Sequence, residues 1–171
     1  MACSQTLAGL ARDCSPSIGG VKTVYIANYD DVDTISVTTG IISAITMLNS
    51  AKFKKYYIRR GAGSMTSTLN VDATSGSNYV STEVALQFSR METTKRLEMT
   101  ALSQDEVAII VEDMNGVFWY LGKDEPVLAS AGTGETGTAR SDANQYTLTF
   151  TDNSLTFPHE VDDTAVASVI A

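Results

Sequence analysis

The stretch 145–154, QYTLTFTDNS, alternates apolar with polar side chains from one position to the next. The same alternation runs through residues 65–73 and 79–90, which flank the turn-forming sequence TSGSN at 74–78. A period of two places successive side chains on opposite faces of a β-strand, one face buried and the other in solvent. The pattern therefore predicts antiparallel strands, and it pairs 65–73 with 79–90 as a long hairpin.

Further strands are predicted in the first third of the chain. The stretch 21–29, VKTVYIANY, is apolar on both faces, which is typical of a strand that is covered on both sides. Short strands are predicted at 35–37 and 41–47, and another strand through 51–60, AKFKKYYIRR. The β-branched and aromatic residues make up about a third of the chain, which favours strands over helices as its main element.

A second hairpin and one helix are predicted in the middle of the chain. The sequence VAIIVEDM-NG-VFWYLG at 107–122 has an Asn-Gly dipeptide between two apolar runs, which is typical of a type I′ turn. A helix is predicted at 92–104, with Leu97 and Ala101 in its apolar stripe and Met91 and Leu102 as further candidates for it. The tail, residues 165–170, predicts one more short strand.

Together these segments predict a mainly β protein, an antiparallel β-sandwich or barrel with one inserted α-helix and a long β-hairpin. Residues 1–20 contain the breakers Ser-Pro-Ser and Gly-Gly and are predicted to form an N-terminal arm. Residues 21–171 are predicted to form a single β-sandwich domain. The chain has no apolar run of about 18 residues, so we expect no spanning helix and no membrane partner.

The sequence offers no recognisable catalytic, metal or cofactor site. His159 is the single histidine, which leaves no partner set for a nucleophile triad or a zinc site. Gly132, Gly134 and Gly137 match the GxGxxG pattern, but a loop and a Thr-rich strand follow them instead of the helix that a dinucleotide site needs. We therefore expect that the protein is not an enzyme and that it holds no cofactor and no metal.

Charge is distributed unevenly along a chain whose net charge is −8. The first 60 residues are net basic and the remainder is strongly acidic. The densest cluster, here called the basic strip, interleaves cations with aromatic side chains and consists of Lys52, Lys54, Lys55, Arg59 and Arg60. Such a strip can contact acidic residues of a neighbouring copy, bind nucleic acid, or protect a strand edge with lysines. The acidic majority of the chain disfavours broad nucleic-acid affinity, so we predict an inter-subunit contact.

The order of these segments resembles that of phage tail tube proteins: an arm, a β-sandwich, a long hairpin, a helix between hairpins, and a loop of small residues. Two stretches, MACSQTLAGLARDCSPSIGGV and SAGTGETGTARSDANQYTLTFTDNS, are also similar to virion proteins of phages that infect Bacteroidetes. The resemblance extends over residues 15–160 and includes no diagnostic motif.

The resemblance implies a virion structural protein, assembled in the host cytoplasm, whose hexameric rings stack into a hollow tail tube. Its implied partners are further copies of itself and other tail or virion proteins, and DNA would pass through an acidic lumen without specific binding. The hairpin 65–90 would line the tube or reach the next ring, and the arm 1–20 and the loop 130–145 would contact neighbouring subunits. The alternatives are a head-decoration, head–tail completion or tail-terminator protein, and a nucleic-acid-binding or small-ligand β-barrel module.

Overall fold

Two β-sheets packed face to face form the body of the molecule in the computed structural model, which describes residues 8–171. The larger sheet has seven strands in the order β2-β3-β11-β8-β7-β1-β4, and the smaller has four in the order β5-β6-β10-β9. The strands are β1 Val21–Asn28, β2 Val32–Thr38, β3 Ile41–Met47, β4 Lys54–Tyr56, β5 Gly63–Asp72, β6 Ser77–Ser89, β7 Val107–Asp113, β8 Phe118–Leu121, β9 Leu128–Glu135, β10 Gln145–Ser154 and β11 His159–Val161. The helices are α1 Thr93–Gln104 and α2 Asp163–Val169. The expected mainly β sandwich is confirmed, without a closed barrel.

The core is divided between the two faces of the seven-stranded sheet. One cluster fills the space between the sheets and includes Val24, Leu86 and Phe150, all fully buried. A second cluster lies on the opposite face of the larger sheet, where α2 packs over Ile110 and Tyr120. Strand β1 contributes to both clusters, which confirms that its two apolar faces are both covered.

The long hairpin predicted from the alternating pattern is confirmed. Strands β5 and β6 pair in antiparallel register from Gly63 opposite Leu86 to Asp72 opposite Ser77. Buried residues occupy every second position of β6 from Val80 onward, as the period of two predicts. The predicted strands at 35–37 and 41–47 are also present, as β2 and β3.

Helix α1 lies where it was predicted, and of the four residues proposed for its apolar stripe only Leu102 is buried. The residues that turn inward include Met99 and Leu102, whereas Leu97 and Ala101 of the predicted stripe are exposed. The relative exposures of Leu102 and Leu97 are 6% and 58%. Both faces of this short helix carry apolar residues spaced by three or four positions, so the sequence pattern alone did not select between them.

The turn between β7 and β8 is not the predicted type I′ turn. A type I′ turn needs positive φ at both central residues, but only Gly116 of the Asn-Gly pair has it, with φ 84°. The Gly116 N–H donates to the Asp113 carbonyl oxygen at 3.1 Å, and the Asp113 carboxylate accepts from the backbone N–H groups of Asn115 and Val117 at 2.8 and 3.0 Å. The side chain of Asp113 therefore holds a longer turn in place.

The tail forms a second helix, so the strand predicted at 165–170 is wrong, as is the count of one helix. Asp162 caps the first turn of α2, because its carboxylate accepts from the Thr164 N–H at 2.9 Å. Ala165, Val166 and Val169 are buried against the larger sheet at helical spacing. An N-cap followed by this i, i+1, i+4 pattern is the signal that the strand interpretation missed.

The strand predicted through 51–60 is also shorter than expected. Only Lys54–Tyr56 pair with β1, as β4 at the edge of the larger sheet. The chain then leaves the sheet in a turn where the Ala62 N–H donates to the Arg59 carbonyl oxygen at 2.8 Å and Gly61 has φ 77°. This positive φ, which glycine adopts without strain, redirects the chain into β5.

Residues 8–20 lie outside both sheets and are exposed along their length. They are joined to the body at Ile18, whose N–H donates to the Asn115 side-chain oxygen at 2.9 Å and whose carbonyl oxygen accepts from the Asn115 amide at 3.0 Å. The first seven residues of the predicted arm lie outside the described part of the chain. The division into an arm and one domain stays a prediction.

The buried face of α1 can be tested by comparing two leucines of the same helix. We expect Leu102→Ala to lower the free energy of unfolding by about 2–4 kcal/mol, because it leaves a cavity between the sheets. Leu97→Ala is the matched control and should change that free energy by less than about 0.5 kcal/mol, since its side chain is exposed. Urea unfolding of both variants checks this, and equal losses would contradict the assignment.

Candidate functional site

The four-stranded sheet presents one face to solvent that carries mainly hydroxyl, amide and carboxylate groups, with exposed Leu128 and Tyr79 toward one end. Buried side chains of β6 and β10 turn inward at alternate positions, so the intervening positions define this surface, here called the open face. Register places the paired residues of β5 and β9 on the same face. Its central residues are Ser64, Thr66, Thr68, Ser81, Glu83, Ala85, Gln87, Thr133, Glu135, Thr147, Thr149 and Thr151.

The open face carries negative charge and no positive charge. None of the strands β5, β6, β9 and β10 contains a lysine or an arginine. Glu83 is exposed at the centre of the face, and Glu135 is exposed at the end of β9, where it accepts from the Gln145 side-chain amide at 2.8 Å. A face of this composition stays hydrated and repels phosphate groups, because nothing on it can replace the cations that surround nucleic acid.

Among residues 8–171, neither edge strand of this sheet has a second strand partner. Strand β5 pairs there only with β6 and strand β9 only with β10, so each has one row of backbone donors and acceptors outside the ladder. Neither edge has the lysines or prolines that usually block association of edge strands. Helix α1 runs beside β9 and leaves a groove of about 410 Å³, with Arg96 and Thr100 on the helix side and residues 130–134 on the strand side.

One carboxylate is buried on the inner side of the same sheet. Asp152 on β10 is 2% exposed, and its carboxylate accepts from the Gly122 N–H at 3.3 Å. Burial raises the pKa of Asp152 to about 6, and the nearby charges of Asp124 and Glu125 act in the same direction. Asp152 is paired with Thr82, which lies near the middle of β6.

The members of the basic strip lie in different surroundings. Lys52 donates to the Ser168 carbonyl oxygen, and together with Lys54 it lines a groove that also includes Asp31 and Asp105. The Lys55 ammonium group lies 4.8 Å from the ring centroid of Tyr57. Arg59 and Arg60 follow in the turn before β5, and both are exposed. The assignment of the strip as an inter-subunit contact stays a prediction, with its members now divided among three surroundings.

The remaining residues that the sequence singled out lie in structural surroundings. Gly132 and Gly134 are in β9, opposite Leu148 and Tyr146, and a loop follows the strand. A Cβ atom at Gly134 would lie 2.9 Å from the Tyr146 ring, so close packing explains this glycine. A ring nitrogen of His159 lies 3.0 Å from the Gly40 carbonyl oxygen. Within residues 8–171, no cluster of three or more potential metal ligands occurs, and no helix is long and apolar enough to cross a bilayer.

Several apolar residues at the far end of the long hairpin are exposed, which sequence reasoning missed. Leu69, Val71, Tyr79 and Leu155 are all exposed, with Leu155 at 75%. Leu69 and Val71 continue the inward-facing row of β5 that begins with Met65, which packs on the core. The hairpin extends beyond the region where the larger sheet covers this row, so residues with a core pattern remain in solvent.

Comparisons with known proteins give little further information. No family model matches the chain, and no curated protein matches it. A chain in a structure titled "Virion of native gene transfer agent (GTA) particle" aligns with 76% of this chain and 98% of its own length, at 12% identity and a TM-score of 0.35. A score of this size does not establish a common fold.

The charge of the open face predicts its behaviour toward DNA. We expect the variant Glu83→Lys/Glu135→Lys to be retained on immobilised duplex DNA more strongly than the wild-type protein. Two new phosphate contacts per subunit would add about −1.8 to the slope of log affinity against log salt. The control Glu83→Gln/Glu135→Gln removes the same negative charges without adding cations and should behave as the wild type does. Equal retention of the lysine variant and this control would contradict the description of the face.

Proposed function

We propose that the protein is a virion structural subunit that closes into rings through the two open edges of its four-stranded sheet. In this arrangement, β5 of one copy pairs with β9 of the next. The observation that carries the proposal is the presence of two long edge strands without lysine or proline on opposite sides of one sheet, with helix α1 beside one of them, β9. Heterologous pairing of two different edges makes a ring if the rotation between copies closes.

Several features of the sheet support this pairing. Exposed strand edges without lysine or proline are sites of association between chains. The groove between α1 and β9 leaves room for an added strand along the β9 edge. Closure would satisfy the free backbone groups of both strands, and the small side chains of β9, mostly Ala, Ser and Gly, would let a neighbouring backbone approach closely.

The open face supports the interpretation of the ring as a channel for DNA. If the sheets of all copies join edge to edge, their open faces form one continuous surface, and this surface carries glutamates and no cations. A channel with such a wall lets a polyanion pass without binding it. Together with the resemblance of the sequence to phage tail tube proteins, this supports a hexameric tail tube subunit in a virion, with other tail proteins as further partners.

Disulfide trapping tests the edge pairing directly. In a Cys3→Ser/Cys14→Ser background, one cysteine is placed on β5, at Thr66 or Thr68, and one on β9, at Ala131 or Thr133. The two edges of one sheet are about 14 Å apart across three strand spacings, so a disulfide between them within one chain cannot form. We expect oxidation to give a ladder of linked chains that ends at a closed hexamer on non-reducing gels.

The control places one cysteine at Glu83 on the central strand β6 and the other at Ala131. Because β6 is already paired on both sides, this variant should give no ladder. If none of the four edge combinations gives products larger than dimers, the lateral pairing is excluded. A head-decoration protein would then be favoured if the protein binds preformed capsids.

A further inference from the structure

We propose that two opposite ends of the molecule bind each other between copies: the turn that carries Arg59 and Arg60 docks into an acidic groove at the far end of the hairpin of a second copy. The turn, residues 57–60, is here called the basic turn. The groove, here called the tip groove, is lined by Tyr79, Asp124, Glu125, Asn153, Ser154 and Leu155. The inference rests on the proposed function, since the contact would join one ring to the next.

The tip groove combines exposed apolar surface with negative charge. Its volume is about 510 Å³, and its apolar walls include Leu155 and Tyr79, which are 75% and 42% exposed. The Asp124 carboxylate accepts from the Leu155 N–H at 3.2 Å and from the Lys123 ammonium group at 3.0 Å, which fixes the position of this wall. Glu125 takes part in none of the ion pairs of residues 8–171. An apolar groove with an acidic border fits a partner that offers an aromatic ring and cations.

The basic turn offers that combination. Tyr57 is 78% exposed, and the Lys55 ammonium group lies over its ring. Arg59 and Arg60 are exposed, and neither contributes to the three ion pairs of the described chain. The hydrogen bond from the Ala62 N–H to the Arg59 carbonyl oxygen fixes the backbone of the turn. Aromatic residues and arginines are the side chains that most often carry the binding energy of interfaces.

The two surfaces lie at opposite ends of the same strands. Arg60 precedes the first residue of β5 by three positions, whereas Tyr79 is paired with Asn70 near the other end of β5. Asn70 follows Gly63 by seven positions, which corresponds to about 23 Å along an extended strand. The surfaces therefore cannot meet within one chain. The basic turn of one copy and the tip groove of another meet when the second copy is shifted along the strand direction. If β5 and β9 close the ring, this direction leads out of the ring plane and toward the next ring.

The occupant of the tip groove is a second copy of this chain, because the complementary charge is present on the chain itself. The open face carries no cations, so the cations of the basic turn have no role in lining a channel. Nucleic acid as a partner of the basic turn is a separate hypothesis, and it predicts binding that does not depend on Asp124 or Glu125.

A charge exchange in trans tests the contact. Variant one is Arg59→Glu/Arg60→Glu. Variant two is Asp124→Asn/Glu125→Lys, in which Asn at 124 keeps an acceptor for the Leu155 N–H. End-to-end joining is followed by sedimentation velocity and electron microscopy. We expect each variant alone to lose joining, and an equimolar mixture to regain it, because the altered ends of the two variants are complementary. Joining by the wild-type protein should weaken as salt rises, since the contact is ionic.

The matched control Arg59→Lys/Arg60→Lys keeps both positive charges at the same exposed positions and should join as the wild type does, because the contact is ionic. Loss of joining in the control, or no recovery in the mixture, overturns the proposal. If the variants form rings that do not join, the contact is supported and the ring is intact. If no protein forms rings, the proposed function fails. The contact itself is then supported if the mixture regains salt-sensitive pairwise association, and overturned if it does not. DNA binding that variant one loses and variant two keeps, without any effect on self-association, identifies nucleic acid as the partner instead.

Discussion

The backbone hydrogen-bonding groups on the free sides of two edge strands are the feature on which the proposed assembly of this molecule depends. Strands β5 and β9 end the four-stranded sheet on opposite sides, and each exposes backbone donors and acceptors along its free edge. Neither strand carries the usual residues that prevent pairing with another chain. A sheet of this kind can accept a further strand at either edge. The proposed ring supplies the partner from the same sequence.

The charge distribution makes sense as a consequence of this arrangement. The four strands of the smaller sheet contain no lysine or arginine, whereas the seven-stranded sheet and its connections contain Lys22, Lys54 and Lys55. The cations are therefore excluded from the one face that would line a channel. The overall charge of −8 is a poor guide to this separation, because the register of β5, β6, β9 and β10 decides which face each carboxylate occupies.

Much of the fold could be predicted from the sequence, and the errors have identifiable causes. The alternation in β5, β6 and β10 correctly predicted a sandwich with a long hairpin, because a period of two depends only on local geometry. Helix α2 was missed because its signal is an Asp162 cap and three buried residues within seven positions. The division of the basic strip depends on where pairing with β1 ends, at Tyr56. The exposure of Leu69 and Val71 depends on where the opposing sheet ends, which no local pattern encodes.

Imaging of the purified protein over a range of concentrations, with mass photometry in parallel, shows whether the protein forms rings and how many subunits each ring contains. We expect closed rings of one subunit number, with each four-stranded sheet on the inner wall and β5 beside β9 of the neighbouring copy. Rings with the seven-stranded sheet on the inner wall would contradict the assignment of the open face. A protein that remains monomeric up to millimolar concentration would contradict the proposed assembly itself.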